Sequence, residues 1–234
     1  MQIKDFAKIF FVVLLAHLAV LDVGENVMLI RFTKPIILLS LIAFYIHHTS
    51  ARKPFEGKFL FALMLSLVGD VLLMFTDFSK DWFMFGLAAF LVAQVYFSVS
   101  FLTENPRQKG LVQKKWWLVL PFMVYGIWFV ILLYPGLSGV LVPVYLYAFM
   151  LMMMAIAALN RNGKVHVRSF QLVFAGALLF VLSDSVLAYA KFVDAFPRSA
   201  VVVMATYGIA QFLMVWGMLF DRLNTSTDLH QKQF

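Results

Sequence analysis

Apolar residues gather in eight long runs, and short polar segments between them carry most of the charge. The runs cover residues 6–23, 32–48, 57–76, 82–102, 116–134, 138–159, 170–190 and 200–220. A helix that crosses a bilayer needs about 20 mostly apolar residues, within a range of about 17–25. Strands of a transmembrane barrel are shorter and alternate apolar with polar positions. These runs are long and continuously apolar, so they predict helices, whose backbone groups are satisfied within each segment. The expected fold class is all-α: a polytopic membrane protein whose eight transmembrane helices form one bundle around an intramembrane polar cavity. Residues 1–222 make this single domain, and residues 223–234 make a polar C-terminal tail.

Composition sharpens the picture. Of 234 residues, 63% are hydrophobic and 13% charged, and the mean hydropathy is +0.89. Soluble domains hold about 45–50% apolar and about 25% charged residues. A soluble fold and a disordered chain are both excluded. The sequence contains no cysteine, which removes disulfides, thiol catalysis and thiolate metal sites. Lys4 and Lys8 followed by an apolar run resemble a signal peptide, but no small-residue cleavage site follows, so a retained first span is expected.

The net charge of +7 reads as topology. Lys4, Lys8, Arg52, Lys53, Lys58, Arg107, Lys109, Lys114, Lys115, Arg161, Lys164, Arg168, Arg222 and Lys232 fall on one side of an eight-span layout. Arg31, Lys34, Lys80, Lys191 and Arg198 fall on the other. Basic residues favour the cytoplasmic side, so both termini are expected there. The cations are scattered over short loops, which speaks against nucleic acid and for anionic lipid as partner. Trp82, Trp116 and Trp117 stand at span ends, where interfacial aromatics belong.

Ionisable groups inside the membrane are costly and point to function. Of the acids, only Asp70 and Asp184 fall deep within spans, the third and the seventh. Asp70 lies about 20 Å along its helix and Asp184 about 21 Å, at 1.5 Å per residue. Both helices run in one direction, so the carboxyls reach one level and can meet across the bundle. Two such acids suit a proton donor beside an electrostatic stabiliser or base. Ser66 stands one turn before Asp70, and Ser183 adjoins Asp184. Tyr207 and Gln211 share a face at i, i+4. Gln94 and Tyr147 lie inside the fourth and sixth spans, and Lys34 opens the second. Chemistry is the first reading of this set, proton-coupled transport of a lipid or solute the second, and a purely structural pairing the third.

The remaining signals are weaker. His17 is a lone polar group in the first span, expected to be satisfied by a neighbour. His47 and His48 close the second span at the water surface. No clustered His or HExxH pattern offers a metal site, so neither metal nor cofactor is expected. The methionines at 150–154 read as packing surface. Gly69 and the Ala175-Gly-Ala177 stretch allow close helix approach.

The combined motifs resemble the YhhN family, which includes bacterial YhhN proteins and animal transmembrane lysoplasmalogenases. The matching stretches are Lys34-Pro35, Ser66-Leu-Val-Gly-Asp70-Val-Leu-Leu-Met and Gly86-Leu-Ala-Ala-Phe90-Leu-Val-Ala-Gln94-Val-Tyr96. Further matches are the stretch from Pro143 to Tyr147, Phe180-Val-Leu-Ser-Asp184-Ser-Val-Leu-Ala188 and Met204-Ala-Thr-Tyr207-Gly-Ile-Ala-Gln211. Two positions depart from the family's pattern: Gln94 stands where members usually carry His, and Gly208 replaces a second aromatic. The resemblance implies hydrolysis of the vinyl ether bond of lysoplasmalogen, giving a fatty aldehyde and glycerophosphoethanolamine or glycerophosphocholine. Asp70 and Asp184 are then the catalytic pair. Lys34, Ser66, Gln94, Tyr147, Ser183, Tyr207 and Gln211 are the expected substrate-binding groups. A vinyl ether hydrolyses through an oxocarbenium ion after protonation of its β-carbon, which parallels two-carboxylate glycoside hydrolysis.

An intramembrane aspartyl protease also uses two membrane aspartates. Its GxGD motif would place Gly at position 67, where this chain has Leu67, and its Tyr-Asp pair meets Ser183-Asp184 here. The proton-coupled transporter is the stronger alternative, although neither repeat symmetry nor broken spans are evident.

Overall fold

The computed structural model describes residues 3–24, 26–49 and 57–231. The expected topogenic charges Arg52, Lys53 and Lys232 lie outside the described residues, as do the side chains of Lys4, Lys80 and Arg222. In chain order the helices are α1 (Ile3–Val23), α2 (Val27–Thr49), α3 (Gly57–Leu73), α4 (Lys80–Thr103) and a single turn, α5 (Leu111–Lys114). Then follow α6 (Leu120–Leu133), α7 (Leu141–Leu159), α8 (Val167–Phe192) and α9 (Ser199–Gln231). No strand occurs among the described residues.

Seven segments are long and apolar enough to cross a membrane, α6 being counted with the 3-10 turns that flank it, as Trp116–Gly136. They match seven of the expected runs, with ends moved by a few residues. The third run behaves differently. Residues 57–76 were expected to form one span, but α3 stops at Leu73 after 17 residues, and turns occupy residues 74–78. Seventeen residues rise about 25 Å, below the roughly 30 Å of a hydrocarbon core.

Packing separates a protein core from a surface that is equally apolar. Phe10, Tyr45, Phe59, Phe97 and Phe180 are fully buried. Ile127, Trp128, Ile131 and Phe149 stand exposed on the outer faces of α6 and α7. An all-apolar periphery is tolerable in lipid and not in water. The chain is a multi-pass membrane protein. The most extensive helix contact joins α8 to α9, followed by α3 to α4. Small residues permit both. A Cβ on Gly176 would stand 2.8 Å from the Ala210 carbonyl oxygen, and one on Gly69 would stand 2.5 Å from the Phe90 ring. Close backbone approach through glycine is a common device between membrane helices.

A polar cluster ties the helix ends on the Lys-rich side. Arg161 is fully buried and meets both carboxylate oxygens of Glu104, at 2.5 and 3.1 Å. It also donates to the backbone oxygen and the hydroxyl of Ser169, and that hydroxyl donates to the Gly217 carbonyl at 2.7 Å. Lys164 donates to the Leu102 carbonyl at 2.8 Å. Burial lowers the Lys164 ammonium from its ordinary value, Glu104 opposes that shift and Arg161 adds to it. Two of the charges counted as loop cations by topology are therefore interior struts joining α4, α7, α8 and α9.

Candidate active site

Seven helices, α2 to α4 and α6 to α9, contribute side chains to one pocket. Its walls are mainly apolar, with Leu87 and Phe90 from α4, Phe129 from α6 and Leu151 from α7. Its volume is about 100 Å³, on a measure by which one water takes roughly 10–15 Å³. Asp70 and Asp184 both line it, together with Lys34, Tyr147, Ser183 and Tyr207. The two acids counted to one level along separate helices thus share one pocket.

Their surroundings differ. Asp70 is 3% exposed, with both carboxylate oxygens engaged. Lys34 Nζ lies 3.2 Å from Oδ1, and the Tyr207 hydroxyl donates to Oδ2 at 2.8 Å. Lys34 comes from the second turn of α2, just before Pro35. Tyr207 comes from α9, its ring held edge-on by Phe90 and Phe180. Asp184 meets neutral groups only. The Tyr147 hydroxyl donates to its Oδ2 at 2.5 Å, and Gln94 Nε2 donates to the same oxygen at 3.4 Å. Among the described residues, Oδ1 of Asp184 has no hydrogen-bond partner. A buried charge is costly unless it is paired. Asp70 therefore has what an anion needs, and Asp184 has what a neutral acid needs.

The other expected site residues divide. Ser183 reaches the pocket wall, but its hydroxyl donates to the Val203 carbonyl of α9 at 2.9 Å. Gln94 is fully buried behind Asp184 and does not line the pocket. Ser66 also lies outside the lining; its hydroxyl turns back to the Ala62 carbonyl at 3.0 Å. Gln211 is buried one turn from Tyr207, outside the lining, and its amide forms no hydrogen bond of proper geometry. Sequence reasoning did not single out Tyr125 and Ser185, which line the pocket and bond each other at 2.7 Å. Their signals were a polar aromatic inside the fifth apolar run and a second serine beside Asp184. Gly208, the departure from the aromatic pattern, gives room to α1: a Cβ there would stand 2.7 Å from Leu14 Cδ1.

The comparisons agree with the resemblance drawn from the motifs. Lysoplasmalogenase TMEM86A of Homo sapiens is 32% identical over 186 residues, covering 77% of this chain and 71% of that protein. Lysoplasmalogenase TMEM86B of Mus musculus is 33% identical over 158 residues, covering 68% of this chain and 62% of that protein. No solved structure was found to match. The YhhN family model matches residues 29–218, a stretch that holds both aspartates and all of their hydrogen-bond partners. The chain belongs to the YhhN family.

Proposed function

We propose that this protein hydrolyses the vinyl ether bond of lysoplasmalogen, releasing a fatty aldehyde and glycerophosphoethanolamine or glycerophosphocholine. The observation that carries the reading is the unequal pair of acids on one pocket, an ion-paired Asp70 and an Asp184 with neutral partners and one unbonded oxygen. The relatives' names supply the substrate class.

The chemistry follows from that inequality. Asp184 carries the proton on Oδ1, while Oδ2 accepts from Tyr147 and Gln94. Proton transfer to the vinyl β-carbon leaves an oxocarbenium ion across the α-carbon and the ether oxygen. Asp70, fixed by Lys34 and Tyr207, stabilises that cation through space. Water then adds to the α-carbon and gives its proton to the Asp184 carboxylate. The resulting hemiacetal collapses as its hydroxyl proton passes, by way of Asp184, to the departing glycerol oxygen. The aldehyde and the alcohol leave, and Asp184 is again protonated. No step needs metal or nucleotide.

In this reading α3 is the eighth span, and the eight helices form one bundle around the pocket, with both termini cytoplasmic. The aspartates then sit toward the Lys-poor side. The alkenyl chain lies in an apolar groove between α6, α7 and α8, which shares Tyr125 and Met152 with the aspartate pocket. The test is aldehyde release from a vinyl-ether lysophospholipid by purified protein in detergent. Release supports hydrolysis. Its absence from folded protein, together with substrate uptake driven by a pH gradient in proteoliposomes, establishes transport instead.

A further inference from the structure

A second and wider pocket, of about 460 Å³, adjoins the aspartate pocket. The two share Lys34, Leu73, Phe83, Leu187, Val203 and Met204 in their walls. This vestibule is also lined by His17 of α1, Arg31 of α2, Asp77 of the turn after α3, and Lys191 of α8. Three of the five basic residues on the Lys-poor side therefore surround one cavity.

Two buried polar atoms in its walls, Arg31 Nε and His17 Nε2, have no hydrogen-bond partner among the described residues. The orphan on His17 has a definite character. The Thr33 hydroxyl donates to the Leu29 carbonyl at 2.8 Å, which uses its only proton. The 2.8 Å contact between His17 Nδ1 and Thr33 Oγ1 is then donated by the ring. Nε2 of the neutral imidazole is left as a bare acceptor. Arg31 gives only Nη2 to Asp77, at 3.3 Å, so its Nε–H remains unused. Lys191 lies over the Phe83 ring, 5.0 Å from its centre, and no carboxylate is within ion-pair distance of it among the described residues. Lys34 is committed to Asp70. Among the described residues, Arg31 and Lys191 set against Asp77 leave one unmatched positive charge in its walls.

We infer that the vestibule is a headgroup site for a single-chain phospholipid: Arg31 and Lys191 hold its phosphodiester, and His17 Nε2 accepts a hydrogen bond from the free hydroxyl of its glycerol. The inference rests on the hydrolysis reading for its substrate class and extends it to selectivity. One unmatched cation complements the single negative charge of a phosphodiester. An acceptor without a donor suits the hydroxyl that a lysolipid has and a diacyl lipid lacks, and a site built to bond a hydroxyl rejects the analogue without it. Only the glycerol backbone separates phosphate from vinyl ether, which matches two cavities with a common wall. His17 precedes the stretch matched by the family model, so this contact belongs to α1 of this chain.

The test is binding to the full-length protein in detergent, read as ligand-dependent thermal stabilisation. The probes are ester-linked lysophosphatidylethanolamine, its 2-deoxy analogue, monoacylglycerol of equal chain length, and inorganic phosphate. The wild type is expected to bind the lysophospholipid about tenfold tighter than monoacylglycerol, one charge-assisted contact converted at 1.4 kcal/mol per decade. Lys191→Gln abolishes that preference and Lys191→Arg keeps it. His17→Phe abolishes the preference over the 2-deoxy lipid, and His17→Gln, which retains an acceptor, keeps it. A wild type without either preference, or a Lys191→Gln variant that keeps the first, overturns the assignment. Protection by inorganic phosphate equal to that by lysolipid overturns it in favour of a free-anion site. Binding preferences without aldehyde release would remove the hydrolysis reading and leave the vestibule standing. Aldehyde release without the preferences would do the reverse.

Discussion

Lys34 reaches Asp70 twice: its ammonium lies 3.2 Å from Oδ1 and 3.4 Å from the backbone carbonyl oxygen of the same residue. The cation is only 14% exposed and the carboxylate 5%. Removing one partner of a buried ion pair strands the other, at a cost of about 3–5 kcal/mol, whereas neutralising both is far milder. Lys34→Met is expected to lose about that much stability in denaturation assays in detergent. The double variant Lys34→Met/Asp70→Asn recovers most of it while remaining inactive. A Lys34→Met protein as stable as the wild type would refute the compensated pair.

The unequal acids predict unequal rescue. Asp184→Asn and Asp70→Asn each lower aldehyde release, by about 10²–10⁴-fold where general acid catalysis is removed. Acidification then separates them. Hydronium can replace a lost proton donor, so the residual rate of Asp184→Asn rises as pH falls. Asp70→Asn lacks the stabilising anion, which hydronium does not restore, and its rate shows no such rise. Equal responses of the two variants would remove the assignment of roles.

Gln94 donates to Asp184 from behind the pocket wall and acts as a positioning residue. Gln94→Leu removes that donor and frees the carboxyl to turn, and small misplacements of a reacting group can cost up to about 10²-fold. The expected signature is a fall in kcat with KM nearly unchanged. Gln94→His, which restores a ring donor at this position, recovers the rate. A KM effect without a kcat effect would make Gln94 a substrate contact instead.

How much of this was legible in the sequence depends on which signal was unambiguous in lipid. Counting 1.5 Å per residue put Asp70 and Asp184 at one level, because helix rise is fixed whatever surrounds the helix. The facing of each helix was not legible. Leu133 is buried and Leu132 is exposed, yet both are leucines in a continuously apolar run. When core and solvent are equally apolar, hydrophobic periodicity no longer marks the inner face. Ser66 illustrates the related problem of local competition. Its spacing put it beneath Asp70, but a serine inside a helix can bond the carbonyl four residues back. Arg161 escaped notice as an interior residue because the carboxylate that pairs it, Glu104, is 57 residues away in sequence.

The groove toward lipid yields the last expectation. Gly126 lines the aspartate pocket on α6, and a Cβ there would meet Met152 Cγ at 3.1 Å. Its neighbour Met152 is a flexible side chain, so a larger residue here displaces one side chain and no backbone. Its bulk also falls in the space assigned to the first carbons of the alkenyl chain. Gly126→Leu is expected to leave the protein folded, at a cost of about 1–3 kcal/mol as Met152 gives way, the range for overpacking. It lowers kcat/KM for vinyl-ether lysophospholipids by about 10–200-fold, the range for one misfit group in an apolar pocket. Because the obstruction adjoins the reacting bond, substrates of short and long chain suffer alike. A loss confined to long chains would place the steric conflict farther along the α6–α8 groove, and an unchanged kcat/KM would remove that groove from the substrate's path.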